Sequence, residues 1–330
     1  MIYFRFFGEN PAEQAKSLTK NFLEKLKDFE FESFGLGFSG QGKESAKKEL
    51  FPLIASEFKK AGKKFSNMQH EMFLLCDLDR KKVEVEVKPV FIFGYYNKYS
   101  REIAQTIHYC IECKGRKCSA CNFTGKQVQE SVQEIIGETA RGIFNSRKDF
   151  FHGAGREDVD VLMLGSGRPF VIELAQPKKR KVSLKELEKE ANKDTRVRFH
   201  SLSFCGAEKV AQVKTTEHDK IYEAVVECEK EVEKNKVEEL IGKRFEIEQF
   251  TPTRVEKRRA KTTRKKWAEI TQAKFLGEKK FSIQLKTQAG LYIKEFVSGD
   301  SERTKPSVSS LVGQACRCVQ LDVLEIKEKN

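Results

Sequence analysis

The sequence predicts an α+β protein, in which a mixed and mainly antiparallel sheet with few helices follows a small N-terminal α/β unit. Three features carry that expectation. Pieces with alternating apolar and polar residues recur after Val83, among them IYEAVVECEK, KRFEIEQF, KKFSIQLKT and QLDVLEI, and a period of two suits strands with one buried face. Before them, residues 1–82 combine the strand-like FEFESF with a glycine-rich turn and the helical pattern KESAKKELFPLIASEFKKAG. Early in the larger region, four cysteines crowd into the twelve residues CIECKGRKCSAC.

Composition bounds the answer further. A chain of 330 residues with 39% hydrophobic content can build a real core in one large or two medium domains. No run of 18 apolar residues exists, and MIYFRFFGENPAEQ lacks the layout of a signal peptide, so a soluble, cytoplasmic monomer is expected. The formal net charge of +13 favours polyanionic partners and says nothing about fold.

In chain order, residues 1–82 form the accessory unit and 83–330 the larger domain, with a knuckle inserted at 108–125. FGLGFSGQGKE contains GxGxxG at Gly35, Gly37 and Gly40 and an approximate GxxxxGK ending at Lys43. Glu44 stands where a Walker loop needs Ser or Thr, and a dinucleotide fold needs several βαβ units. A glycine-rich turn is therefore expected, without a nucleotide cofactor. VEVEVKPVFIFGYY reads as a strand entering the larger domain. Val128, Val132, Ile135, Ile136 and Ile143 keep helical spacing over KQVQESVQEIIGETARGIF. DVDVLML and PFVIEL read as a hairpin joined by Gly165-Ser166-Gly167, and Ser183 with Glu186 as a capping box for SLKELEKEANK.

The cysteine quartet, Cys110, Cys113, Cys118 and Cys121, is two CxxC pairs separated by four residues. Each pair can converge two thiolates on one ion, and four thiolates close a tetrahedral structural Zn²⁺ site with no open position. Disulfides are the alternative, but nothing marks the chain as secreted. Cys76, Cys205, Cys228, Cys316 and Cys318 have no such spacing and are expected to be packing residues.

Positive charge gathers in PKKRKV (177–182) and in RVEKRRAKTTRKK (254–266), which has eight basic residues in thirteen and one acid. Either is a solvated face or disordered arm, or it neutralises phosphates. Next to this charge, GREDVDV places Asp158 and Asp160 two residues apart. On a strand both would point to one face. They read equally as a turn cap, as a surface pair, or as a catalytic carboxylate, and periodicity does not choose between them.

AGREDVDVLMLGSGRPFVIEL resembles the signature of the archaeal-type tRNA pseudouridine synthases of the Pus-ten family. GRED, residues 155–158, resembles the GRxD element that carries a single catalytic Asp in several pseudouridine synthase families. FIFGYYNKYSREIAQT, the cysteine pairs ending in NFTGK, ESVQEIIGE, KIYEAVVECE, TPTRVEKRRA and AGLYIKEFVSGDSERTKPSVSSLVG extend the resemblance over residues 83–326. It implies a pseudouridine synthase catalytic domain, a mixed antiparallel sheet crossed by an active-site cleft, behind a small THUMP-like unit.

The resemblance also implies roles. Asp158 is the catalytic carboxylate, and Lys294 in GLYIKEF is its basic partner, with Tyr292 beside it in the substrate pocket. Tyr222 stacks on the flipped base and Leu321 forms the pocket floor. Arg156 fills the space that base leaves or holds a phosphate. Arg254, Arg258 and Arg259 lie on a loop gripping the TΨC arm of tRNA, at whose positions 55 and 54 uridine is isomerised without a catalytic cofactor. Leu162 and Leu291 stand where the family has Arg and Thr, in positions not expected to touch the chemistry. The family usually carries a larger N-terminal domain with its own CxxC pair, whereas residues 1–82 hold only Cys76. A non-catalytic tRNA-binding or chaperone protein on the same scaffold is the alternative function.

Overall fold

A computed structural model of the protein describes residues 2–5, 10–257 and 259–327. The first strands and helices are β1 (Ile2–Arg5), α1 (Pro11–Lys25), β2 (Ser33–Ser39), α2 (Lys43–Lys60), β3 (Lys64–Phe65), β4 (Met72–Asp77) and β5 (Lys82–Val87). They make a five-stranded sheet of order β1-β5-β4-β2-β3, with β2 parallel to β3 and β4. Asn10 starts α1 by accepting the Glu13 N–H at 2.9 Å, with Pro11 at the first helical position. Ala15, Leu18 and Phe22 of α1 and Leu50, Ile54 and Phe58 of α2 repeat at helical spacing, so each helix buries one stripe. Phe58 stacks on Phe34 of β2 at 4.2 Å and meets Phe22 edge-on at 5.0 Å.

The glycine-rich turn between β2 and α2 is filled by the protein's own acid. The Asp79 carboxylate accepts the Gln41 N–H at 2.9 Å and lies 2.7 Å from where a Cβ on Gly40 would stand. A phosphate there would meet a carboxylate first.

The remaining strands are β6 (Val90–Lys98), β7 (Lys148–Gly153), β8 (Leu162–Ala175), β9 (Val197–Cys205), β10 (Lys220–Cys228), β11 (Arg244–Phe250), β12 (Thr263–Gly277), β13 (Lys280–Thr287), β14 (Thr304–Lys305) and β15 (Cys316–Ile326). They form one sheet of order β14-β11-β12-β13-β10-β15-β8-β6-β9, with β7 also paired to β8. Its described pairs are antiparallel except β15 with β8, which join in parallel through Asp322–Leu162 and Val323–Met163 alone. Helices α3 (Val132–Phe144), α4 (Leu184–Ala191), α5 (Glu208–Thr215), α6 (Lys234–Glu238), α7 (Ile293–Ser298) and α8 (Val308–Val312) complete the fold. The mixed, mainly antiparallel sheet is the one the alternation predicts. No helix among the described residues is long and apolar enough to cross a membrane.

Four local expectations need correction. The strand VEVEV lies in the first sheet, because Val83 and Val85 are buried in its core and the chain changes sheets at Lys88-Pro89. The expected hairpin at Gly165-Ser166-Gly167 is instead a kink inside the single strand β8. Gly165 and Gly167 have φ of +57° and +83°, and a Cβ on Gly165 would lie 1.9 Å from the Leu324 carbonyl oxygen. Only glycine lets β8 leave β15 there and run on against β6. Third, α3 begins at Val132, where the Ser131 hydroxyl accepts the Glu134 N–H, so Val128 lies outside it. At α4 one half of the capping box forms, Ser183 accepting the Glu186 N–H at 3.4 Å.

The basic stretch PKKRKV joins the two sheets. The Glu30 carboxylate accepts the N–H groups of Arg180 and Lys181 at 2.7 and 3.0 Å, and Glu30 N–H donates to the Lys178 carbonyl at 2.7 Å. Those two backbone donors hold the Glu30 carboxyl below its ordinary range. The Arg180 guanidinium donates to the Glu71 carbonyl at 3.3 Å and to the Lys88 carbonyl, and the Lys181 ammonium pairs with Glu32 at 2.5 Å. Arg180→Ala is expected to cost about 1–3 kcal/mol, since it strands two carbonyls at the junction. Hydrogen exchange should show β4 and β5 amides losing protection while those of β6 and β8 keep it.

Candidate active site

The GRED residues occupy a loop, not a strand, between β7 and β8. Buried charge fixes its path. The Glu157 carboxylate, 6% exposed, meets the Arg168 guanidinium of β8, 1% exposed, at 2.8 Å. It also accepts the Tyr96 hydroxyl at 2.8 Å. Arg168 donates to the Ala154 carbonyl at 2.7 Å, and Gln105 reaches the Gly155 carbonyl and the Tyr96 hydroxyl. Burial alone would lower the Arg168 pKa, but Glu157 together with Tyr96 and Tyr222 outweighs it and the net shift is upward.

On the far side of the loop Lys98 is fully buried at the end of β6. Its ammonium has three donors, and they reach three carbonyls, those of Ile103 at 3.1 Å, Asp158 at 3.4 Å and Val159 at 2.6 Å. Burial pulls its pKa down to about 8. Arg101 donates to the carbonyls of Asp160 and Leu321 and pairs with Asp322 at 2.6 Å, which ties the loop to β15.

Beside this loop opens a cavity of about 390 Å³, at the parallel junction of β8 and β15. Arg156, Asp158, Tyr222, Arg254, Arg259, Tyr292 and Leu321, all singled out in the sequence, line it together. Lys294 stands at its edge, 3.4 Å from Asp158. Arg258 lies outside the described residues. Leu291, expected to be remote from the chemistry, is part of the wall, as are His108, Val161 and Val323.

Asp158 and Asp160 differ in what surrounds them. Asp158 lines the cavity and lies between two cations, Arg254 at 3.0 Å and Lys294 at 3.4 Å. Asp160 lies nearer Lys294, at 2.7 Å, but is not part of the cavity wall and its side chain is 60% exposed. Partial burial would raise the Asp160 carboxyl; the hydrogen bond and charge of Lys294 outweigh it and leave it below the ordinary range.

Arg254, expected on a loop gripping RNA, pairs with Glu295, a buried carboxylate of α7, at 2.5 Å from its Nε while staying partly exposed, and its guanidinium also lies 5.8 Å from the Tyr292 ring. Two more buried contacts set the wall: the Gln249 side chain exchanges hydrogen bonds with the Tyr292 backbone at 2.9 and 3.1 Å. Tyr222, from β10, has its phenol pushed up to about 12 by burial, so it is a neutral ring and hydroxyl at physiological pH. The cavity thus offers the Asp158 carboxylate between two cations, the buried Glu157–Arg168 pair behind it, two tyrosine rings and an apolar floor. Sequence reasoning missed Lys98, Glu157, Arg168 and Glu295. Glu157 stood inside GRED, and Arg168 is a charge opening an otherwise apolar run, PFVI.

The cysteine quartet forms a separate centre next to the cavity. Its four sulfurs lie within 4.8 Å of one another, with 3.8–3.9 Å between Cys110 and Cys118, Cys113 and Cys121, and Cys118 and Cys121. A tetrahedron of metal–sulfur bonds of about 2.3 Å has edges of about 3.8 Å, so the set fits a metal ion. The N–H groups of Cys118 and Gly125 point at the Cys121 sulfur and pull its thiol down to about 6. Among the other cysteines Cys76, Cys228 and Cys316 are buried, and Cys205 and Cys318 partly so.

Residues 91–327 match the family model described as "Pus10, C-terminal". The chain is 38% identical to the tRNA pseudouridine synthase Pus10 of Archaeoglobus fulgidus, over 96% of this chain and 93% of that protein. It is 42% identical to the enzyme of that name from Korarchaeum cryptofilum, over 79% and 71% of the two chains. With the Methanocaldococcus jannaschii protein it shares 41% identity over 76% of this chain and 56% of the longer relative. These relatives are isomerases by name. A chain from the crystal structure of a Cbf5-Nop10-Gar1 complex aligns over 71% of this one and 58% of its own length at 12% identity and a TM-score of 0.34, a likeness too slight to carry weight. The extent and identity of the match to proteins of that name, together with the family model, establish that the chain belongs to the Pus10 family.

Proposed function

We propose that this chain isomerises uridine to pseudouridine in the TΨC arm of tRNA, at positions 55 and 54, as a cytoplasmic monomer. The observation that carries this reading is the Asp158 carboxylate, set in a cavity wall between Arg254 and Lys294 and facing Tyr222 and Leu321. Its substrate and reaction rest on what the relatives are named for.

The reaction breaks N1–C1′, turns the uracil and joins C5 to C1′. The C5 proton leaves, N1 ends protonated, and no electrons are gained or lost. The nucleotide must leave its stack to reach the carboxylate. Asp158 acts ionised, either on C1′ or as the base that forms a glycal. Arg254 and Lys294, at 3.0 and 3.4 Å, remain its ionic partners when a base covers it and removes water. Tyr222, neutral at this pH, supplies a ring for the uracil to lie against, and Leu321 an apolar floor. Arg156 and Arg259 at the mouth offer charge to phosphates, and the first unit is read as THUMP-like and RNA-binding. The knuckle cysteines would hold a structural Zn²⁺, which fixes the fold of residues 108–125 and takes no part in the chemistry.

Tritium release from C5-labelled uridine in tRNA transcripts is the direct assay. Asp158→Asn should reduce it by at least about 10³-fold and Lys294→Met by about 10²-fold, while Asp160→Asn keeps most of it; a dead Asp160→Asn beside an active Asp158→Asn would move the carboxylate. Transcripts altered singly at either uridine test the positions. Metal analysis should find about one zinc per chain, and stripping it should lower the melting temperature; a zinc-free, fully stable protein would remove the metal from this reading.

A further inference from the structure

The knuckle gathers, among the described residues, large apolar side chains that stand exposed to solvent. Among the described residues, ten large apolar side chains are well exposed, and three of them, Tyr109 at 58%, Ile111 at 74% and Phe123 at 67%, fall within this one segment. Chance scatter over the surface would not gather them on so short a stretch. Phe123 adds a second oddity. It follows Asn122 with both in the left-handed region, at φ of +49° and +57°, where a bulky residue costs energy that glycine would not. That ring packs into no core, so its conformation presents it to the outside.

The surroundings point to one occupant. Lys114, Arg116 and Lys117 stand exposed around the face, with Glu112 the one carboxylate between Cys110 and Lys126. The segment rises on a short ribbon, in which Cys110 N–H donates to the Gly125 carbonyl and Gln127 N–H to the His108 carbonyl, both at 2.8 Å. Its base is in the active-site wall: His108 lines the cavity and contacts Arg156. Tyr109 is therefore one residue from the catalytic cleft. One edge of its ring approaches Gly115, 3.0 Å from where a Cβ would stand, so the glycine leaves that ring its place against the knuckle. Rings ringed by cations, at the edge of a cleft that takes a flipped nucleotide, suit the faces of unpaired bases better than a protein surface or a duplex.

We propose that Tyr109, Ile111 and Phe123 form a stacking platform for unpaired bases of the substrate RNA flanking the target uridine, with Lys114, Arg116 and Lys117 on its phosphates. This rests on the reading that the cleft acts on RNA. The knuckle would then be both a rigid insert and a second contact that holds the loop open while one nucleotide turns inward.

The test uses the full chain, a fluorescein-labelled hairpin RNA of TΨC-arm sequence, and the tritium assay. The Ile111→Ser/Phe123→Ser double variant should keep its zinc and melting temperature, because both side chains face solvent. It should bind the hairpin about 5- to 100-fold more weakly, and Phe123→Tyr should bind like the parent because it keeps a ring. Lys114→Gln with Lys117→Gln should lower the slope of log affinity against log salt by about 1–2. Parent-like hairpin affinity and KM in the double variant would overturn the platform, leave the enzyme intact and give the face to a protein partner. Tight binding by the parent without tritium release would instead remove the enzymatic reading and leave the platform standing.

Discussion

Glu157 and Arg168 lie 2.8 Å apart with almost no contact with water. Neither charge can move toward solvent without leaving the other alone in the interior, which would cost about 3–5 kcal/mol. The pair therefore fixes backbone position more than it adds stability. Arg168 is anchored in the long strand β8, and Glu157 is the residue before Asp158. Through that one peptide the Asp158 carboxylate inherits the rigidity of the sheet. Lys98 does the same from the other side, since its three acceptors leave the ammonium no freedom. The half-exposed Asp158 carboxylate is thereby held by a buried pair that also lines the inner wall of the cavity.

The two basic stretches show how little charge alone says about role. PKKRKV spends its donors on Glu30, Glu32 and two backbone carbonyls at the seam between the sheets. RVEKRR splits its arginines, pairing Arg254 with Asp158 and Glu295 while Arg259 lines the cavity mouth. A local count of lysines and arginines cannot separate these uses, because the partners that decide them come from distant parts of the chain.

The same rule governs what was legible in the sequence. Periodicity gave the mixed sheet, the dominance of antiparallel strands and the stripe on α3, since those depend on neighbours three, four or two residues away. The cysteine spacing gave the knuckle for the same reason. The chain did not reveal that Gly165 and Gly167 kink one strand, because the reason is the Leu324 carbonyl, which lies far along the chain. The acid at 158 could be told from the one at 160 only by resemblance, and geometry separates them through Arg254 and the cavity. Glu157, Lys98 and Glu295 went unread because a buried charge looks like a surface charge until its partner is known.

The position of β15 has a consequence for how the molecule comes into being. This strand, the last among the described residues, runs between β10 and β8 and supplies Leu321 and Val323 to the cleft. Until it is in place, the strands on either side have no direct pairing with each other, and each presents an open edge. Both halves of the sheet precede residues 316–326 in the chain, and their facing edges stay open until that segment lies between them. The floor beneath the Asp158 carboxylate is complete only when that one segment joins the two halves.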